Sequence, residues 1–307
     1  MKHSLLLFAA AALTLAACGN DENLNDGPVP IRLSSSLEVQ TRAATDIQGN
    51  AFDANEKVDV FIMEDVPTGQ TATTVYDQPL VYTTGGNGAM NPTGGQPYFP
   101  TSGNGVNIYA YYPVDVAYYI EDTETIEFTV KPDQSTEANY KASDLMFAKA
   151  ANPVSRTANA VPLTFTHLLS KVTIILEAGA GLEEADLIDA KVELLDVKPK
   201  ITLTTISGSI SAAEGEPTNI TVFTAAEGAL SGSAIIVPQE LPARFVRVTL
   251  DDGGVLVGTL SGNSRPDLKS GNAYIYTITV NLTGLNITVS IKQWTDNEGS
   301  GSAVMEQ

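Results

Sequence analysis

The sequence predicts an all-β protein made of two tandem β-sandwich domains that follow an export signal. Short segments rich in Val, Ile, Thr and Tyr alternate with Gly, Pro, Asn and Asp along the whole chain, which is typical of sandwiches. Roughly 290 residues remain after the signal, which is the length of two domains of about 125–140 residues each. An apolar run at the N-terminus predicts the export.

The first residues predict a lipoprotein. Lys2 precedes the apolar run Leu5–Ala17, which is too short to span a membrane and fits a signal peptide. The run ends in Leu15-Ala16-Ala17-Cys18, which resembles the bacterial lipobox, and Cys18 is the only cysteine of the chain. We therefore expect a signal peptide over residues 1–17, a palmitate-type lipid on Cys18 and an outer-membrane anchor. An ordinary signal peptide with a chance cysteine is the alternative.

Composition narrows the classes of partner. A single cysteine excludes internal disulfides and thiolate metal clusters. The chain has 17 basic and 36 acidic residues, and the resulting net charge of −19 repels nucleic acid and anionic membrane surfaces. The acidic stretch GNDENLND after Cys18 resembles the surface-export signal of Bacteroidetes lipoproteins. We expect a cell-surface protein with no nucleic-acid partner.

The stretch Val29–Val39 has apolar residues at its odd positions, except for Ser35, and mostly polar residues at its even positions. This alternation predicts a strand with one face on a core and one in water. It stops just before the basic residue Arg42. An ordinary first strand is one interpretation, and a removable strand, taken up below, is the other. The apolar face is formed by Val29, Ile31, Leu33, Leu37 and Val39.

The rest of the chain reads as further strands, with a boundary near Pro162–His167. Gly181–Asp189 reads as a short helix or a loop, and Gly85–Gly105 reads as an irregular surface loop because no Gly-Lys-Ser/Thr opens a helix there. The clear strands are Lys57–Met63, Val106–Tyr112, Thr125–Val130, Asp144–Ala150, Lys171–Ala178, Ala190–Val197, Lys200–Ile206, Gly232–Gln239, Arg244–Leu250, Gly254–Leu260, Ala273–Val280 and Leu285–Ile291.

The sequence predicts neither an active site nor a cofactor. His3 lies in the signal, and His167 alone cannot make a zinc site, so we expect a buried, hydrogen-bonded histidine there. No Gly-x-Ser-x-Gly elbow occurs. The pair Asp251-Asp252 precedes two glycines and predicts a hairpin turn. A glycoside hydrolase built on paired carboxylates is the disfavoured enzyme hypothesis.

Four stretches together resemble the fimbrillin family of Bacteroidetes, the pilins of type V pili. The order and spacing of these stretches match the family, and together they extend over nearly all of the chain. They are the Thr41-Arg42-Ala43 junction after a strand, YYP at Tyr111–Pro113, FTHLLSKV at Phe165–Val172, and GNAYIYTITVNLTGLNITVSIKQW at Gly271–Trp294.

The resemblance implies two transthyretin-like β-sandwich domains and a processed lipoprotein precursor. The implied divisions are a lipidated propeptide with a removable strand over 18–42, an N-terminal sandwich over 43–165 and a C-terminal sandwich over 166–307. An arginine-specific protease would cut between Arg42 and Ala43. Subunits would then polymerise by strand exchange with other pilus subunits, because an open sheet edge accepts a strand from another chain.

The implied donor of a strand is the C-terminal segment, with Leu285, Ile287, Val289, Ile291 and Val304 as its candidate apolar residues. In shaft subunits of the family, the C-terminal segment donates the strand. The tail after Trp294 is short and has few apolar residues, which argues against this chain being a shaft subunit. An accessory or tip adhesin subunit with a host or bacterial surface ligand is one alternative. A glycan-binding surface lipoprotein is another, with aromatic candidates Tyr109, Tyr111, Tyr118 and Tyr119.

Overall fold

The computed structural model of the chain describes residues 27–38, 51–69, 79–114, 117–120, 124–260 and 267–293. These residues form an all-β structure, as the sequence predicts, with one α-helix, α1 (Glu137–Lys141), and one 3₁₀ helix (Glu184–Leu187). No helix in these ranges is long and apolar enough to cross a bilayer. The strands are β1 (Leu33–Leu37), β2 (Lys57–Glu64), β3 (Leu80–Thr84), β4 (Ala89–Pro92), β5 (Val106–Tyr112), β6 (Ala117–Ile120), β7 (Thr125–Thr129), β8 (Met146–Lys149), β9 (Val161–His167), β10 (Ser170–Ala178), β11 (Lys191–Val197), β12 (Lys200–Thr204), β13 (Thr218–Thr224), β14 (Ser231–Ile236), β15 (Arg244–Thr249), β16 (Val255–Thr259), β17 (Asn272–Asn281) and β18 (Gly284–Gln293).

The N-terminal strands form a closed barrel in the order β1-β4-β3-β2-β5-β8-β9. Burial alternates along β1 and β9, because successive side chains of a strand point to opposite faces. The inward side chains form one apolar core with Ile31, Tyr82, Ile108 and Phe165 fully buried in it. The first strand of the chain therefore closes the barrel rather than lying outside it.

The C-terminal strands form two four-stranded sheets, β14-β10-β17-β18 and β13-β11-β15-β16. The first sheet contains a parallel pair, in which Lys171–Ala178 of β10 runs beside Ala273–Val280 of β17. Side chains of both sheets, including Val172, Phe245 and Tyr276, share a second apolar core. This is the packing of a β-sandwich, in which two sheets bury their inner faces against each other.

A third, three-stranded sheet, β12-β7-β6, joins the two halves of the chain. Residues Thr125–Thr129 of β7 pair with Lys200–Thr204 of β12, and Ile126 and Phe128 lie in the second core. Strand β7 therefore precedes the predicted boundary at residue 165 but packs with the strands that follow it. The division into two domains stays a prediction.

The short segment 132–134 forms hydrogen bonds with one edge strand of each sandwich sheet, β14 in one and β13 in the other. Gln134 is buried, and its side-chain amide accepts a hydrogen bond from Ile235 N (2.7 Å) and donates one to Ile235 O (2.9 Å), as a neighbouring strand would. The backbone of the same segment bonds Thr221 of β13, with Gln134 N donating to Thr221 O at 2.8 Å. One segment thus covers β14 in one sheet and β13 in the other.

Local expectations differ from the structure in two places. Gly85–Gly105 is not wholly irregular, because it contains β4, whose Met90 is buried in the barrel. Its flanking glycines mask the short alternation. The short helix or loop expected at Gly181–Asp189 is a single turn of 3₁₀ helix, Glu184–Leu187. A capping box between Glu183 and Asp186 satisfies backbone N–H groups at its start. The predicted hairpin at Asp251–Gly254 is confirmed between β15 and β16.

Candidate functional site

The candidate site is the place that β1 occupies between β4 and β9, which we call the β1 groove. On the β4 side the chain runs antiparallel to β1, from Gly88 through Phe99. The side-chain amide of Gln96, an exposed residue, adds a hydrogen bond by donating from Nε2 to Ile31 O at 2.9 Å. The main-chain hydrogen bonds on this side are Ile31 N to Pro97 O (2.8 Å), Phe99 N to Val29 O (3.0 Å) and Ser35 N to Gly88 O (2.7 Å).

On the other side, β1 lies parallel to β9. Leu33–Leu37 is in continuous register with Val161–Phe165. Val161 N donates to Arg32 O at 2.8 Å, and Glu38 N donates to Phe165 O at 2.9 Å. From Ile31 to Ser35 the strand therefore has hydrogen-bonded neighbours on both of its edges.

The inward face of β1 is apolar except at its centre. Val29, Ile31, Leu33 and Leu37 are 8, 0, 4 and 3% exposed, and each such side chain contributes about 1.5–3 kcal/mol on burial. Ser35 occupies the remaining inward position and is 9% exposed. Within the described residues 27–38, the strand thus has three neighbouring apolar anchors, Val29, Ile31 and Leu33, before Ser35 and one, Leu37, after it.

The loop between β8 and β9 contacts the N-terminal part of the same segment. Arg156 Nη2 donates to Gly27 O, and Arg32 Nη1 donates to Ala158 O at 3.3 Å. Both hydrogen bonds lie at the surface. They hold the start of the strand without adding to its apolar burial.

The opposite end of the groove is closed by Phe52. Its ring lies 5.2 Å from that of Tyr112 and 5.0 Å from that of Phe165, and Phe52 is 2% exposed. Phe165 is also the register partner of Leu37. Glu38 and Phe52, which lie on either side of residues 39–51, therefore both contact Phe165.

Lys141 of α1 fixes the residues next to Phe52. Its ammonium lies 2.5 Å from the Asp53 carboxylate, 3.0 Å from Glu137 and 3.6 Å from Glu56. Burial lowers the pKa of Lys141, but the hydrogen bonds that its ammonium donates to Asp53 and Glu137 outweigh this effect and raise the pKa above its usual range. These ion pairs connect the start of β2 to α1.

The sequence-predicted site residues divide into two groups. Val29, Ile31, Leu33 and Leu37 lie together on the inward face of β1. Cys18, Val39, Arg42, Ala43 and Val304 lie outside the described residues. Sequence reasoning missed Phe52 and Gln96, which line the groove from irregular segments. The only signal for Phe52 is that it is a single aromatic residue in the polar stretch GNAFDAN.

The candidate donor segment is itself a paired strand. Residues Gly284–Gln293 form β18, which pairs along its whole length with β17 and lies at a sheet edge. Leu285 and Ile287 pack against the second core. Ile287 also lies close to Gly258 of β16, where a Cβ would come within 2.7 Å of its Cδ1. Releasing this strand would open the sandwich.

Three other residues that the sequence pointed to, His167, Tyr109 and Tyr111, lie within the described part of the chain. His167 is buried with its Nδ1 2.7 Å from Asp144 Oδ1, which confirms the expected buried, hydrogen-bonded histidine. Within the described residues, no group of three His, Cys, Asp or Glu side chains is placed to hold a metal ion. Tyr109 and Tyr111 are 5 and 2% exposed, so neither ring presents a surface to a glycan.

Comparison with known proteins agrees with this architecture. A relative from Bacteroides uniformis named "Putative fimbrium subunit Fim1C" is 25% identical over 311 residues, covering 98% of this chain and 97% of the relative. Two crystal structures described as putative cell adhesion proteins share the fold. The one from B. uniformis has a TM-score of 0.67 at 22% identity, covering 88% of this chain and 99% of its own. The one from Bacteroides ovatus has a TM-score of 0.69 at 19% identity, covering 89% and 100%.

The sequence profile described as fimbrillin-like matches residues 41–294. The match begins after β1 and ends at Trp294, and so it includes the remaining strands of the barrel and both sheets of the sandwich. Because it covers most of the chain, this chain belongs to the fimbrillin-like family.

Proposed function

We propose that this chain is a structural subunit of a type V (fimbrillin) pilus, exported to the cell surface as a lipoprotein anchored through Cys18. A protease that recognises arginine cuts after Arg42. The propeptide that carries β1 then leaves, and a strand from another subunit takes its place in the β1 groove. Catalysis has no part in this function.

One observation supports the proposal: β1 completes the barrel, and it lies N-terminal to the segment that contains Arg42. The family match begins at residue 41, whereas β1 ends at Leu37. A single cut after Arg42 would leave β1 held to the rest of the barrel by non-covalent contacts alone. The segment 39–51 contains Arg42 and joins two residues, Glu38 and Phe52, that both contact Phe165.

The energetics favour exchange only after a cut. Four buried apolar side chains give on the order of 10 kcal/mol of gross burial, and ordering the strand costs about 1–2 kcal/mol per residue. The net hold is therefore modest. A tethered strand nevertheless acts at an effective concentration of roughly millimolar, which excludes a competitor. Cutting the tether removes this advantage.

The experiment is limited proteolysis of the purified precursor with trypsin, followed by N-terminal sequencing and an unboiled gel. We expect a new N-terminus at Ala43 and heat-labile ladders of high mass. Arg42→Ala should remain an uncut monomer with an unchanged melting temperature, because the described contacts of β1 do not involve residue 42. Arg42→Lys, which trypsin still cuts, is the matched control and should form ladders. Ladders from intact Arg42→Ala would contradict the proposal.

A second candidate function is an accessory or tip subunit that accepts a strand and donates none. The observation that favours it is the pairing of β18, since Leu285 and Ile287 are committed to the sandwich core. This candidate predicts normal cleavage at Arg42 but no ladder from the cut protein alone. Added to a growing fibre of another subunit, the cut protein would shorten the ladders by capping them.

A further inference from the structure

The two ends of β1 are held differently. Over Ile31–Ser35 the strand has hydrogen-bonded neighbours on both edges. Over Ser36–Glu38, the described residues pair with it only through β9. Ser36 Oγ lies 3.2 Å from Thr164 Oγ1, and Glu38 N donates to Phe165 O. The last part of β1 is thus joined to the barrel along a single edge.

Pairing on the β4 side of β1 ends at Ser35 because of the turn between β3 and β4. Gly88 O accepts the last hydrogen bond on that side, from Ser35 N, and a Cβ on Gly88 would come within 2.7 Å of Ser35 O. Gly88 has φ +82°, and Gly85 N donates to Ala89 O at 2.7 Å, so the chain reverses at this point. Glycine suits both the close approach and the positive φ. The turn ends the neighbouring edge opposite Ser35.

The side chains show the same asymmetry. The inward residue before Leu37 is the small Ser35, so Leu37 is the only apolar anchor of the singly paired part. Leu37 lies opposite Phe165, whose ring is packed by Phe52. Both aromatic residues belong to the part of the chain that remains after a cut at Arg42. Phe165, the neighbour of Leu37, and the Phe52 ring that packs on it therefore both stay in the barrel when Leu37 leaves.

We propose that strand exchange starts at the Leu37 end of the β1 groove, where the incoming strand pairs beside Ser36–Glu38, and proceeds toward Val29. This inference rests on the proposed function. The occupant is a β-strand of another subunit that brings an apolar side chain to the position of Leu37. The cut at Arg42 frees the same end of β1 at which the described residues pair with one edge only. Local opening there breaks one apolar contact, whereas opening at Val29–Leu33 breaks three.

Peptide competition on the trypsin-cut wild-type protein tests the starting point. The probes are two synthetic peptides of equal length, one copying residues 27–35 and one copying residues 30–38. Both contain Ile31 and Leu33, but only the second contains Ser36–Glu38. Each peptide carries three apolar anchors, since the first has Val29 where the second has Leu37. We expect the 30–38 peptide to release the bound propeptide at least about tenfold faster, because only this peptide pairs at the end whose local opening breaks a single apolar contact. Release is followed by mass spectrometry of the free propeptide.

Two single-residue variants provide an independent measurement. Leu37→Ala and Ile31→Ala each remove one buried aliphatic anchor, so both should speed spontaneous release of the propeptide by at least about tenfold. Leu37→Ala should also speed peptide-driven release, whereas Ile31→Ala should change that rate less than about threefold if displacement starts at the other end.

The possible results separate the two proposals. Faster release by the 27–35 peptide, or equal release by both peptides, overturns the starting point and leaves the removable strand intact. Absence of release by either peptide from verified cut protein overturns both the starting point and the proposed strand exchange. The peptide comparison uses only wild-type protein, so a variant that fails to fold does not affect it.

Discussion

Phe52 packs edge-to-face on Phe165, with ring centroids 5.0 Å apart and planes at 86°. Phe165 also receives the last described hydrogen bond of the β1 segment, from Glu38 N. The two ends of the segment that carries Arg42 therefore converge on one residue of β9. A cut between Glu38 and Phe52 would leave Phe52 in the barrel and Glu38 on the propeptide. The contact of Phe52 with Phe165 would therefore remain after the propeptide has left.

Phe52→Ala should destabilise the precursor by about 3–5 kcal/mol, because it removes a buried ring and leaves a cavity between Tyr112 and Phe165. The measurement is urea unfolding followed by far-UV circular dichroism. Phe52→Leu is the control and should recover most of the loss, since it keeps an apolar side chain. A loss below about 1 kcal/mol for Phe52→Ala would contradict the assigned role of Phe52 in closing the barrel.

Gln134→Ala should lower the free energy of unfolding by about 1–3 kcal/mol and expose the edge of β14, because the amide bonds both N and O of Ile235. Open edges pair with other chains. We therefore expect concentration-dependent association by light scattering. Ser135→Ala, which alters an exposed neighbour, is the matched control and should stay monomeric. A monomeric Gln134→Ala would show that the edge is protected by other means.

Glu193 should make the sandwich sensitive to acid. Burial raises the pKa of this carboxyl, but hydrogen bonds from Lys191 and Arg247 outweigh that effect, and the net pKa lies below the ordinary value of 4.5. A carboxyl with a lowered pKa in the folded state stabilises the fold above the unfolded value, and this contribution disappears as the pH falls through the folded value.

Glu193→Gln should therefore cost about 1–2 kcal/mol at pH 7, a modest figure because Lys191 and Arg247 are partly in water. The difference from wild type should shrink as the pH falls below about 4.5. Chemical unfolding at pH 7, 5, 4 and 3 measures it. A difference that stays constant across this range would mean that the ion pairs contribute nothing through the charge of Glu193.

Cys18→Ala should release the protein from membranes without changing its fold, because residue 18 precedes every described contact of the barrel. The measurement is metabolic labelling with a radioactive fatty acid together with membrane fractionation. Ser4→Ala, within the predicted signal peptide, is the control and should leave both labelling and fractionation unchanged. Undiminished labelling of Cys18→Ala would contradict lipidation at this residue.

The sequence by itself predicted the all-β class, most of the strands and the inward face of β1. These features depend on a period of two residues and on turn-forming residues, which are local properties. The buried positions Ile31, Leu33 and Leu37 follow from the same alternation. The buried state of His167 was also predictable, since a lone histidine within an apolar strand has few other stable environments.

Only the tertiary structure decided which strands are neighbours. That β1 lies parallel to β9 and antiparallel to β4 follows from packing between segments distant in the chain, which no local period encodes. The same holds for Phe52, a single aromatic residue in a polar stretch without periodicity, and for Gln134, whose amide replaces a strand. The unequal hold on the two ends of β1 depends on where the turn at Gly88 falls in space. Alternation fixes the face of a strand, but its partners are set by closure of the barrel.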